Sequence, residues 1–255
     1  MSRRIFIGDV HGHYDGLMRL VSMVSPSSSD TLHFVGDLID RGPSSSKVVE
    51  FVRQGNHLCV LGNHEHLLLN AFPEEDPNLA AFQSWLSSGG QPTLTSYANT
   101  EALLEHVQWF KTLPFSIDLG DIFLVHAGLN PRKRLAQQKP IDFCWIRDGF
   151  HACPTPFFQD KTIITGHTIT FTMPGVAPGK IVRGPGWLDV DTGAYHPKSG
   201  WLSAVDIDND LLYQVNTQTE AERVQSLAAG IVDVEPDRIK PRRNRKRMLE
   251  LNSLN

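Results

Sequence analysis

Five short segments of the chain carry residue types able to hold cations: Asp9 with His11, then Asp37, Asn63, His126 and His167. Together they offer two carboxylates, three imidazoles and an amide oxygen, without a thiolate. Oxygen and imidazole donors in that mixture suit Mn²⁺, Fe or Zn²⁺ in five- or six-coordinate sites better than a closed structural zinc site. If two ions are held, one carboxylate has to bridge them. Ions about 3.5–4 Å apart stabilise a shared hydroxide, so the expected nucleophile is a metal-bridging hydroxide and the expected chemistry is hydrolysis.

The densest of these segments is Val35-Gly36-Asp37-Leu38-Ile39-Asp40-Arg41-Gly42, directly after the apolar run Leu32-His33-Phe34-Val35. In isolation it reads equally well as a β–α turn whose aspartate caps the next helix. Its neighbours repeat its grammar. Arg3 to Ile7 is strand-like and ends on Gly8-Asp9-Val10-His11-Gly12, after which Leu17, Leu20, Val21 and Val24 fall at helical spacing. A strand over 31–35 leads through the loop 36–43 into a helix near 44–54, apolar at Val48, Val49 and Val52. His57 to Leu61 then leads through Gly62-Asn63-His64-Glu65 into a helix opened by Leu67, Leu68 and Leu69. Three such units predict a mostly parallel α/β core, with the loaded loops along one sheet edge.

From Pro73 to about Thr112 the pattern is helical and reads as a cap. Strand signals return at 115–119, at 122–125 before His126-Ala127-Gly128, and at 162–165 before Gly166-His167-Thr168. The last third is strand-rich at 180–183, 187–190, 201–206 and 211–215, the final pair joined across Asp208-Asn209-Asp210 as a hairpin. That turn begins like a calcium loop but lacks the glycine and closing glutamate such a loop requires. Asp191-Thr192-Gly193-Ala194 resembles one half of an aspartic-protease pair; with a single copy it reads as a turn carrying hydrogen bonds behind the site.

Gly8-Asp9-x-His11-Gly12, Gly36-Asp37-x-x-Asp40-Arg41-Gly42 and Gly62-Asn63-His64-Glu65, followed by His126-Ala127-Gly128, Trp145-Ile146-Arg147 and Gly166-His167-Thr168, resemble the signature of the calcineurin-like metallophosphoesterases, specifically their phosphoprotein phosphatase branch in its compact bacterial and phage form. The resemblance implies a central β-sandwich of mixed sheets flanked by helices in α-β-β-α layers. It places Asp9, His11 and His167 on one divalent metal, Asn63 and His126 on a second, and Asp37 between them, with Mn²⁺ favoured and Fe or Zn²⁺ as alternatives. It makes His64 the general acid to the leaving group, oriented by Asp40, and puts Arg41 and Arg147 on the phosphoryl oxygens. An ion pair with Asp148 is the plainer reading of Arg147. On this reading residues 1–218 form the catalytic domain, with the cap at about 73–112 inserted, and 219–255 form a basic, weakly structured tail.

The resemblance implies a serine/threonine protein phosphatase first, acting on a phosphorylated protein or a small phosphoester. The alternative is a symmetrical dinucleoside tetraphosphatase. Asp40 and Glu65 favour the former, since the tetraphosphatases usually show another residue at the first position and aspartate at the second. A segment Trp85-Leu86-x-x-Gly89-Gly90-x-x-Thr93 also looks like the bacterial cap of that branch.

The 255 residues, 40% of them hydrophobic and with a net charge of −4, describe an ordinary globular chain and argue against a general nucleic-acid binder. Cys59, Cys144 and Cys153 are odd in number and widely spaced, as in a reducing compartment. Neither a signal-peptide core nor a run able to span a bilayer is present, so the expectation is a cytoplasmic protein without membrane partners. Arg238, Lys240, Arg242, Arg243, Arg245, Lys246 and Arg247 crowd the last stretch and read as a solvated run.

Overall fold

Period-two burial in the first strand sets the architecture. In β1 (Arg4–Ile7), Ile5 and Ile7 point toward helices while Phe6 points into a second sheet, so both faces of the strand are covered. The computed structural model describes residues 2–73 and 78–240. After β1 come α1 (Tyr14–Val24), β2 (Thr31–Phe34), α2 (Ser45–Gln54), β3 (Leu58–Cys59) and α3 (Asn63–Ala71). These are the three strand–loop–helix units expected, and β1, β2 and β3 pair in parallel.

The helical stretch contains α4 (Leu79–Trp85), α5 (Gln91–Ser96) and α6 (Thr100–Phe110). Asn78 and Asn99 cap α4 and α6 by accepting from Ala81 N and Ala102 N. A five-residue π-turn, 86–90, links α4 to α5 and carries Gly89 at φ 114. There the chain passes close to Arg41, whose backbone N donates to Gly89 O at 2.9 Å.

The second half supplies β4 (Ser116–Asp118), β5 (Ile122–Val125), α7 (Pro140–Trp145), α8 (Asp148–His151), β6 (Thr162–Thr165), β7 (Ile181–Gly184), β8 (Trp187–Asp189), β9 (Trp201–Asp206), β10 (Leu211–Asn216), β11 (Glu222–Ser226), α9 (Leu227–Gly230) and β12 (Ile231–Asp233). Two six-stranded sheets result, one ordered β11-β10-β9-β1-β2-β3 and the other β12-β7-β8-β6-β5-β4. Both are mixed. The parallel core expected from the first 70 residues holds for β1 to β3, but β9 adds antiparallel to β1, with Phe6 opposite Val205. Phe6, Val35, Leu124, Ile164, Val205 and Leu212 fill the space between the sheets; each such side chain contributes roughly 1.5–3 kcal/mol by burial. Helices α1 to α3 cover the outer face of the first sheet, and Phe150, Met173 and Ile239 cover that of the second. The layering is the α-β-β-α sandwich that the resemblance implies.

One expectation fails. The chain beyond 219 is not weakly structured through residue 240: β11 extends the first sheet beside β10, and β12 extends the second in parallel with β7. Glu222-Arg223-Val224-Gln225-Ser226 holds one apolar residue, so the strand is formed by backbone pairing at a sheet edge rather than by a hydrophobic face. Arg223 fastens it by lying 4.1 Å over the Trp201 ring and donating to Gln214 Oε1 at 2.7 Å. The remaining basic residues, 242–247, lie outside the described residues. The acidic turn at 206–210 is the β9–β10 hairpin, with Asp206 accepting from Asn209 N and Nδ2.

Candidate metal centre and active site

The loops leaving the carboxyl ends of β1, β2, β3, β5 and β6 converge where the two sheets meet, and they bring all ten expected residues into one region. Asp9 and His11 follow β1, Asp37, Asp40 and Arg41 follow β2, and Asn63 and His64 open α3 after β3. His126 and His167 come across from the second sheet, and Arg147 opens α8. Close approach explains two glycines. A Cβ on Gly62 would sit 2.3 Å from Asp37 N, and one on Gly166 would sit 2.1 Å from Asp9 Oδ1.

The backbone is strained where the chemistry lies. His11, Asp37, Asp40, Arg41 and His167 all adopt positive φ, between 46 and 74. Non-glycine residues rarely do so, and each such conformation costs on the order of 1 kcal/mol or more. Hydrogen bonds hold it. Glu65 at the third position of α3 accepts from Asp37 N at 2.9 Å, Leu38 N at 2.8 Å and Gly62 N at 3.1 Å. Burial and the nearby Asp37 push Glu65 up to about 8.

Each histidine is aimed by a second contact. His11 Nδ1 lies 2.9 Å from Ile39 O and His126 Nδ1 lies 2.7 Å from Val35 O. Both Nδ1 atoms therefore carry the proton and both Nε2 atoms present a lone pair. Those Nε2 atoms lie 3.6 and 3.4 Å from the two oxygens of Asp37. Burial pushes His11, His126 and His167 below the usual imidazole value, which keeps them neutral and able to ligate. Asp9 is driven well above the carboxylate range by burial, with Asp191 and Asp37 adding repulsion. Asp191, in the Asp-Thr-Gly turn, is itself raised to about 6 by burial.

These features fit a dinuclear metal centre. His11, Asp37 and His64 form one cluster with donor atoms within 4.8 Å of one another, and Asp37, His126 and His167 form another. Asp37 belongs to both, the position of a bridging carboxylate. His167 Nε2 is buried with no hydrogen-bond partner among the described residues, and a lone acceptor of that kind is costly unless a cation or donor meets it. The grouping differs in two respects from that implied by the family signature: the first cluster holds His64 and not Asp9, and His167 falls in the second. His167 Nδ1 lies 2.6 Å from Asn63 Oδ1, so its ring sits with His126 and Asn63. Its contact with Asp9 is through the backbone, His167 N donating to the carboxylate at 3.1 Å.

His64 Nδ1 pairs with Asp40 Oδ2 at 2.6 Å, both groups being buried. The cap fixes Asp40 further: Trp85 Nε1 donates to its oxygens at 3.0 and 3.1 Å, and Thr93 Oγ1 donates at 2.7 Å. Sequence alone places Trp85 in the core or cap, and its link to Asp40 emerges only in three dimensions. Arg41 spans His11 Nε2 at 2.9 Å and His64 Nε2 at 2.8 Å, with Tyr195 stacked 3.9 Å from its guanidinium carbon. Nothing in the sequence pattern marks Tyr195, which reaches the site from the loop after β8. Arg147 donates to His167 O at 2.8 Å and Thr168 Oγ1 at 3.2 Å. Arg41, Arg147, Asp37, Asn63, His167 and Tyr195 line a cleft of about 120 Å³.

A two-sheet sandwich whose strand-end loops gather carboxylates, imidazoles and an amide around one shared aspartate is the architecture of a metallophosphoesterase family. The chain belongs to the calcineurin-like phosphoesterase family, whose profile matches residues 2–190. It is 35% identical over 138 residues to a symmetrical bis(5'-nucleosyl)-tetraphosphatase of Proteus mirabilis, covering 52% of this chain and 47% of that protein. The chain spans about half the length of the curated relatives it matches. Among solved structures it resembles a putative diadenosine tetraphosphatase, with a TM-score of 0.62 and 24% identity over 84% of this chain and 93% of the other. A serine/threonine phosphatase from Saccharomyces cerevisiae superposes with a TM-score of 0.55 at 16% identity, over 81% and 73%. Both structural likenesses concern the fold. Among the described residues no helix is long and apolar enough to cross a membrane.

Proposed function

We propose that this phosphoesterase hydrolyses dinucleoside polyphosphates of the tetraphosphate class. The catalytic unit on this reading is 1–218, capped by the helices of 73–112, with strands β11 and β12 added to it. The observation that carries the reaction type is Asp37 shared between two buried donor clusters, with Arg41 and Arg147 on the same small cleft. The substrate class is supported by the names of the curated relatives, which favour the tetraphosphatase over the protein phosphatase that the signature residues suggest first.

Asp9, His11 and Asp37 would hold one divalent ion, with His126, Asn63 and His167 on the other side of Asp37; bound ions would neutralise phosphate oxygens and activate water. The protein's own side chains do the rest. Arg41 and Arg147 are guanidiniums that match phosphoryl oxygens in pairs and offset charge as the P–O bond to the leaving group breaks. His64 donates from Nδ1 to Asp40 and accepts from Arg41 at Nε2; once Arg41 turns to the phosphoryl oxygens, the protonated imidazole passes the Nε2 proton to the departing oxygen. Water adds to phosphorus, and two phosphate-bearing products leave.

Rates on diadenosine tetraphosphate and on a phosphoserine peptide, measured with added Mn²⁺, test the reading. The tetraphosphate is expected to have the higher kcat/KM, and a peptide preference reverses the assignment. The second reading, a serine/threonine protein phosphatase, rests on the 2.6 Å His64–Asp40 pair, since a serine alkoxide needs a proton donor more than a nucleoside diphosphate does.

A further inference from the structure

A cleft of about 120 Å³ receives little more than one phosphoryl group. Beside it lies a cavity of about 610 Å³, within the roughly 300–1,000 Å³ typical of small-molecule sites. The two share Thr172 in their walls. They are linked again through Thr168, which lines the cavity and accepts from Arg147. Met173, Pro174 and Ile239 give the cavity an apolar wall, Asp148 adds a hydrogen-bond acceptor, and Arg238 and Lys240 stand exposed on its far side. Asp148 and Asp237 balance those two cations, so the lining suits a mixed apolar and polar ligand better than a bare polyanion.

The far side comes from residues 237–240, beyond the region 2–190 that matches the family. It is brought there because β12 joins the second sheet beside β7 and Ile239 packs into that sheet's outer core. We propose that this cavity is the binding site for a nucleoside end of the substrate. The base lies on Met173, Pro174 and Ile239, the ribose hydroxyls or base amine donate to Asp148, and Arg238 and Lys240 donate from the far side to ring nitrogens of the base and to ribose oxygens. Thioether contacts with aromatic rings and apolar walls are favourable for such bases. The proposal rests on the dinucleoside reading above and extends it to residues outside the metal cleft.

Competitive inhibition of p-nitrophenyl phosphate hydrolysis by ADP and by pyrophosphate tests it in the full chain. Pyrophosphate carries the same phosphates without the nucleoside, so ADP is expected to inhibit about tenfold more tightly in the wild type. The double variant Arg238→Glu with Lys240→Glu alters exposed side chains and is expected to weaken ADP about tenfold. Pyrophosphate inhibition and p-nitrophenyl phosphate turnover should stay within about twofold, which also verifies folding. Equal inhibition by ADP and pyrophosphate, or an ADP constant unmoved in the variant, overturns the proposal. A variant that shifts only the KM of a phosphoserine peptide also overturns it and assigns the cavity to a protein substrate. A wild type that prefers ADP as expected yet cleaves no diadenosine tetraphosphate sinks the dinucleoside reading while leaving the nucleoside site standing.

Discussion

The metal cleft and the cavity beside it differ in almost every physical respect. The donor side chains of the cleft are buried, and its loops are held in left-handed backbone conformations by bonds such as those of Glu65. The cavity is lined partly by exposed side chains, with Arg238 and Lys240 among them, and draws its far wall from a segment near the end of the described chain. Such a contrast teaches that reaction and recognition are separable in this molecule. Groups that meet phosphorus must be fixed to a fraction of an ångström, whereas groups that meet the rest of a substrate can change without disturbing them.

The comparison breaks most easily at Asp37. Asp37→Asn is expected to abolish turnover on every phosphoester and to lower bound metal, read by elemental analysis of protein loaded with Mn²⁺. Full activity and full metal content in that variant would remove the bridging role and, with it, the sharp difference between the two regions. His64→Gln should follow, lowering kcat on alkyl phosphates by about 10²–10⁴ while metal content stays level. Parallel loss of metal would show His64 to be a ligand, as its place in the first donor cluster permits.

Trp85→Phe is the milder probe of how far the rigid region extends. It removes one donor to Asp40 and should reduce kcat about tenfold, with the pH profile of kcat displaced and KM little changed. An unchanged pH profile would confine the cap to packing. Smallest is a pH effect remote from both regions. Arg3 beside Asp30 holds that carboxyl well below its ordinary value of 3.8. An acid with a depressed folded-state pKa stabilises the fold above its unfolded value and loses that contribution as pH falls through the folded one. The melting temperature should therefore drop as pH goes below 3.8, and less steeply in Asp30→Asn. Identical slopes would dismiss this pair as a contributor.

The sequence makes the rigid region far more legible than the adaptable one. Asp9, Asp37 and Asn63 stand at the ends of apolar runs, and both the runs and the turns after them have local signatures. Strands β4 to β10 are similarly visible through hydrophobic patterning, down to the β9–β10 hairpin. What escapes is long-range. β11 has one apolar residue and exists because β10 offers it an edge. Trp85 and Thr93 reach Asp40 across about 50 positions of sequence, separations of 45 and 53. Tyr195 meets Arg41 from still farther away, and a tyrosine in a loop carries no pattern of its own. The cavity wall at 237–240 follows from β12, a three-residue strand too short to announce itself.

The position of β1 has a bearing on biosynthesis. That strand is flanked by β2 on one side and by β9 on the other, yet β9 begins at Trp201. Ribosomes add about 5–20 residues per second, so after β1 emerges its second edge waits on the order of 10–40 s for a partner. During that interval a strand of the sequence Arg-Ile-Phe-Ile presents unpaired amides and apolar side chains to whatever is nearby. Chaperone capture of nascent chains that have exposed β1 but not yet β9, and release once β9 is complete, is the cellular behaviour that this topology calls for.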